Sequence, residues 1–183
     1  MKVKYFDLKD KRVFITGGGS GIGASIVEHF CEQECEVYFV DINIKESKKL
    51  ISHLKKKKIK APHFIECNLL KIKKLENIIK KIIKSNGPID ILINNAANDD
   101  RHSTKEVDEK YWNNRMDVNL KHFFFTIKAV LKGMIQKKGG AIVNLSSVSW
   151  MLGEGDKVAY ETAKSAVIGL TRSFAREFGK YNI

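Results

Sequence analysis

The sequence of 183 residues contains no apolar run approaching the roughly 18 residues that a membrane-spanning helix needs. Its opening, Met1 to Asp10, lacks the apolar core and small-residue cleavage site of a secretory signal. The cytoplasm is therefore the expected location, with no membrane partner. Cysteine is scarce: Cys31, Cys35 and Cys67 form an odd set without a CxxC pair, which argues against both a disulfide framework and a zinc site. Cys31 and Cys35 are close in sequence but are expected to stay reduced. The histidines His29, His53, His63, His102 and His122 are scattered, none in HExxH spacing, so no metal is expected. No repeat, low-complexity tract or linker divides the chain, and residues 1–183 read as one domain.

What the sequence does have is positive charge, a net +12. Such an excess invites a nucleic-acid reading, but the lysines are placed otherwise. Between Lys71 and Lys84 the residues Ile72, Leu75, Ile78, Ile79, Ile82 and Ile83 recur at helical spacing, with the lysines largely on the other face. The run Lys55 to Lys58 closes another such segment, where cations suit the negative end of a helix. No aromatic side chains interleave with these lysines to stack bases. The charge reads as a solvated surface, and nucleic acid is not an expected partner.

Short β-rich runs alternate with longer helical periods. Val13 to Ile15, Val37 to Val40, His63 to Ile65, Ile89 to Ile93 and Ala141 to Leu145 read as strands. Their apolar character suggests cover on both faces. Helices are expected at Gly21 to Glu32, Lys45 to Lys57, Lys71 to Ser85, about Asp108 to Gln136, and Val158 to about Gly179. Asn86-Gly87-Pro88 and Gly139-Gly140 act as breakers. The alternation predicts an α/β fold, a doubly wound parallel sheet of Rossmann type. Five strands are expected where such sheets usually have at least six, so the fifth would be an exposed edge and the C-terminal part incomplete.

The first strand runs through Thr16 into Gly17-Gly18-Gly19-Ser20-Gly21-Ile22-Gly23, which opens a helix. Glycines there allow a tight turn and close approach of a pyrophosphate, while the helix start offers free N–H groups. Gly17, Gly19, Ser20, Gly21, Ile22 and Gly23 are the expected phosphate cradle. Asp41 ends the second strand, about 20 residues past the turn, where an acid holds the adenosine ribose and repels a 2′-phosphate. No Arg or Lys in the turn compensates that phosphate, so NAD rather than NADP is expected.

Tyr160 and Lys164 stand at i, i+4 spacing, on one face of the last helix. A free tyrosine titrates near 10, and a neighbouring ammonium favours its phenolate. Ser147 follows the apolar strand Ile142 to Leu145 and can meet a substrate oxygen. With Thr16-Gly17, Asn94-Asn95-Ala96-Ala97 and Asn119, these motifs resemble the short-chain dehydrogenase/reductase family over essentially the whole chain.

That resemblance implies Tyr160 as general acid/base, Ser147 as the group that orients the reacting oxygen, and Lys164 as the residue that supports Tyr160 and holds the nicotinamide ribose. It implies Asn119 in a proton relay, Asn95 and Ala96 beside the cofactor, and Asn68 and Leu69 at the adenine. A homotetramer or homodimer is implied too, paired through the Asp108–Gln136 and Val158–Gly179 helices. The sequence departs from the family's usual NNAG at Ala97 and from its usual acid at Asn68, whose amide oxygen can still accept a hydrogen bond.

Two loops after strand ends, Asn98-Asp99-Asp100-Arg101-His102 and Ser149-Trp150-Met151-Leu152-Gly153, carry polar groups and an aromatic face suited to a polyhydroxylated ligand. They look like the loops of the family's aldose 1-dehydrogenases, with Ser147, Trp150 and Tyr160 as expected substrate contacts. The other reading of these residues is a surface ion-pair cluster and a core tryptophan. The rival functions are a ketoreductase of 3-oxoacyl thioesters or small carbonyls, and an NAD-binding module without turnover.

Overall fold

A computed structural model describes residues 3–183. Five parallel strands lie in the order β3-β2-β1-β4-β5: β1 Arg12–Thr16, β2 Glu36–Asp41, β3 His63–Glu66, β4 Ile91–Asn94 and β5 Ala141–Asn144. Helices α1 (Gly21–Glu32), α2 (Ile44–Lys56), α3 (Ile72–Asn86), α4 (Glu109–Met116), α5 (His122–Lys137), α6 (Ser149–Leu152) and α7 (Val158–Phe178) connect or follow them. The sheet is the expected doubly wound one.

Alternation along β1 sorts its side chains between two cores. Val13 and Ile15 pack with Val27 and Cys31 of α1 and Leu54 of α2. Phe14 points to the other face, where Leu75 and Ile79 of α3 meet Ile127, Val130 and Met134 of α5. The lysines of α3 lie outside this contact, as the helical spacing predicts. Cys31 and Cys35 are free and buried; burial pushes their thiols up to about 12 and about 11.

Several boundaries differ from the sequence reading. Cover on both faces holds for β1, β2 and β4; β5 is the exposed edge that the strand count predicts, with Ala141 and Val143 exposed, whereas the exposure of His63 at the other edge, β3, departs from the expectation. Strand β4 starts at Ile91 because the Asp90 carboxylate, not a backbone group, accepts the Arg12 N–H at 2.8 Å. The expected long helix from Asp108 is divided by a π-turn over Asp117–Lys121, an irregularity frequent at functional sites. Short helix α6 has no counterpart among the expected helices. None of the helices is long and apolar enough to cross a membrane among the described residues.

Candidate active site

The turn after β1 is held almost entirely through backbone atoms. Gly17 N–H donates to the Val40 carbonyl at 2.8 Å. The Asn95 amide donates to the carbonyls of Thr16 (3.1 Å) and Gly17 (2.9 Å). Thr16 is buried, and its hydroxyl oxygen accepts the N–H groups of Asn95 and Ala96 at 3.0 and 3.2 Å. Its own proton is then free for His122 Nε2, 3.5 Å away. His122 is fully buried, and burial together with the Lys164 charge lowers it to about 3, so the ring is neutral.

Close packing, against backbone at Gly23 and against side chains at Gly19, explains these glycines. A Cβ on Gly23 would lie 1.9 Å from the Gly17 carbonyl oxygen, and one on Gly19 would lie 2.4 Å from Ser47 Oγ. Gly21 is different: it takes φ +53, and a Cβ there would meet nothing within 4 Å. It borders open space at the start of α1, where helix N–H groups face the cleft, a cradle of the kind that receives a phosphate.

A cleft of about 560 Å³ runs from this turn along the C-terminal ends of the strands. Gly17, Ser20, Gly21, Ile22 and Gly23 line one part of it, beside Asp41, Asn68 and Leu69. Asn95 and Ala96 border the middle, and Tyr160 and Lys164 the far end. The Asp41 carboxylate is aimed by the N–H groups of Gly19 and Asn43, both at 2.8 Å. Asn68 Oδ1 accepts the Leu70 N–H at 2.9 Å, so one of its lone pairs is already engaged.

Lys164 is almost fully buried, and its Nζ donates to the Leu145 carbonyl at 2.7 Å. It lies 5.7 Å from the centre of the Tyr160 ring. Burial pulls the ammonium down to about 8, and the Asp99 carboxylate opposes that fall.

Gly19, Asn119, Ser147 and Trp150 are not among the residues that line the cleft. Gly19 stands behind it, giving its N–H to Asp41. Asn119 is buried, and its amide is occupied on both sides by the Asn98 backbone, accepting the N–H at 2.7 Å and donating to the carbonyl at 2.9 Å. Ser147 Oγ lies 2.8 Å from Ser149 Oγ and accepts the Ser149 N–H at 3.2 Å. Trp150 is half-buried in α6.

The loop after β4 divides between the two readings of its residues. Asn98 and Asp99 line the cleft. Asp100 instead pairs with Arg115 of α4 at 3.2 Å, and His102 is buried against Tyr111. The sequence reading does not single out Ser146, Val118 or Leu145, which also line the cleft. Position next to Asn119 and Ser147 is the signal available for Val118 and Ser146. Among the described residues no group of three or more His, Cys, Asp or Glu could hold a metal.

Residues 11–183 match the family model described as short chain dehydrogenase. The chain is 44% identical to a D-xylose 1-dehydrogenase of Caulobacter vibrioides over 98% of its own length and 70% of that protein. It is 41% identical to the protein named "Probable galactose dehydrogenase GalD" of Rhizobium meliloti, over 97% of this chain and 69% of the other. Among solved structures, the aldohexose dehydrogenase of Thermoplasma acidophilum superposes with a TM-score of 0.85 at 30% identity, covering 97% of this chain and 65% of that one. The chain thus belongs to the short-chain dehydrogenase family, oxidoreductases that act on CH–OH groups with a nicotinamide dinucleotide, NAD or NADP.

Proposed function

We propose that this chain carries the cofactor and catalytic residues of an NAD-dependent aldose 1-dehydrogenase, which oxidises the anomeric hydroxyl of a sugar to a lactone. The observation that carries this reading is a single cleft with Asp41 at one end and Tyr160, Lys164 and Asp99 at the other. It sits on a chain related to a D-xylose 1-dehydrogenase.

At the adenosine end, the aimed Asp41 carboxylate keeps lone pairs for both ribose hydroxyls and repels a 2′-phosphate. Gly17 to Gly23 and the start of α1 hold the pyrophosphate. When bound, the nicotinamide supplies the hydride acceptor. The remaining chemistry belongs to the protein. Tyr160 takes the proton of the anomeric hydroxyl. An ammonium has three donors; with one of them on Leu145, Lys164 keeps two for the cleft and lends its charge to the Tyr160 oxygen. Ser149, by donating to Ser147 Oγ, leaves the Ser147 hydroxyl proton free for the substrate oxygen. Asn119 acts by fixing Asn98 at the cleft wall, so a relay water would be held by the main chain of the π-turn.

The test follows nicotinamide reduction with NAD or NADP over a panel of aldoses and secondary alcohols, and the reverse reaction with a 3-oxoacyl thioester. Aldose-dependent reduction with NAD preferred is expected. Tyr160→Phe should lose at least about a hundredfold in turnover while binding the cofactor normally. Full activity in that variant would overturn the mechanism. Faster reduction of the thioester would favour a ketoreductase, and binding without turnover a cofactor-binding module.

A further inference from the structure

Helix α7 presents Tyr160 from its first turn, yet its own N-terminus is poorly secured. The N-cap residue, Lys157, makes no side-chain capping bond. The segment before it contains Gly153, Gly155 and Asp156 in left-handed conformation, at φ +62, +73 and +54. Nothing lies within 4 Å of the Cβ positions of the two glycines. The first N–H groups of a helix have no partner within it, so something else must hold them.

His102, from the loop after β4, holds one of them. Its Nε2 accepts the N–H of Ala159, the residue before Tyr160, at 3.4 Å. Its backbone N–H donates to the Asp156 carbonyl at 2.6 Å. Because Ala159 N–H can only donate, Nε2 must be the unprotonated nitrogen and Nδ1 must carry the hydrogen. Nδ1 lies 2.9 Å from the Tyr111 hydroxyl and 3.2 Å from the Asp100 carbonyl, and Tyr111 in turn donates to that carbonyl at 3.5 Å. The Arg115 guanidinium stacks 4.8 Å from the centre of the Tyr111 ring. The imidazole is thus fixed in position and in tautomer, with its acceptor turned to α7.

We propose that His102 is a positioning residue for Tyr160: it caps α7 from a separate loop and fixes the turn that carries the tyrosine into the cleft. This rests on the reading of Tyr160 as the acid/base. A displacement near one ångström at a reacting group costs on the order of a hundredfold in rate. His102→Leu should therefore lower kcat by roughly tenfold to a hundredfold with little change in KM for aldose or cofactor. His102→Gln, whose amide oxygen can take the Ala159 N–H, should recover most of that loss. Should the Leu variant not fold, His102→Asn, polar but too short to reach Ala159, must show the same fall in kcat.

Wild-type kcat in a folded His102→Leu or His102→Asn variant overturns the proposal. So does an equal loss in the Gln variant, or a loss confined to the aldose KM, which would make His102 a substrate contact. Tyr160→Phe, assayed alongside, separates the two levels. If it is active, the acid/base reading falls first; if it is inactive while His102→Leu is unimpaired, only the positioning role falls.

Discussion

The turn after β1 and the loop after β4 both leave strand ends at the rim of one cleft, yet they are fixed by different means. The turn is held through its main-chain atoms, which bond the Val40 carbonyl, the Asn95 amide and the Asp41 carboxylate. The loop is held by side-chain bonds to distant elements: Asn119 on Asn98, Arg115 on Asp100, and the loop's own His102 on Ala159. Backbone packing leaves no space for a Cβ, so it demands glycine at set intervals. Side-chain tethers can be built from many residue types at many separations. One region therefore has a spacing signature, and the other has only its residue types.

The largest effect should come from Gly23→Ala. The added carbon would fall 1.9 Å from the Gly17 carbonyl oxygen and 2.6 Å from Asn95 Nδ2, and neither can retreat without undoing the turn. Overpacking of this kind costs about 1–3 kcal/mol or more. Thermal unfolding should register it, and calorimetric titration should show cofactor affinity reduced by at least about tenfold, the equivalent of 1.4 kcal/mol. Normal affinity in the alanine variant would mean that the turn is softer than its contacts imply.

The same contrast explains what could be read in advance. Strand positions followed from apolar runs, and the cradle from glycine spacing, because both reflect local backbone requirements. Asp41 was legible because it ends a strand at a fixed distance from the turn. The exposed edge at β5 followed from the count of strands, but the exposure of β3 was not legible, since an edge strand and a central one share the same apolar composition. The π-turn at Asp117–Lys121 inserts one residue into a helical period without erasing it, so the apolar pattern runs on through Asn119. Ser147 bonding Ser149, and His102 reaching Ala159, depend on tertiary contacts that no spacing encodes. The loop's polar residues suggested a ligand, but Asp100 and His102 serve the fold, and only Asn98 and Asp99 reach the cleft.

An effect that is small at neutral pH and grows as acid is added separates the turn's side-chain support from its backbone. His122 lies beneath Thr16, and its folded-state value of about 3 is far below the ordinary 6.5. As pH falls below 6.5 the unfolded chain takes up a proton that the folded chain refuses. Stability is therefore lost progressively from 6.5 toward about 3. One such group gives a limiting slope of about 1.4 kcal/mol per pH unit. Denaturant midpoints measured across that window should fall with pH in the wild type and fall less steeply in His122→Gln. Parallel curves would show that acid acts elsewhere.

The smallest effect should come from the loop's ion pair, and it tests whether all side-chain tethers there matter alike. Asp100 is 68% exposed at its side chain and Arg115 13%. With its carboxylate exposed to solvent, such a pair contributes roughly 0–1 kcal/mol, less with added salt. Asp100→Asn retains an oxygen for Arg115 and leaves untouched the main-chain carbonyl of residue 100, the atom that meets Tyr111 and His102. Stability should change by less than about 1 kcal/mol, and kcat should stay near the wild-type value. A kcat as low as that of His102→Leu would place the Asp100 carboxylate inside the tether to α7. The loop would then depend on charge as well as on the imidazole, and its distinction from the backbone-held turn would widen.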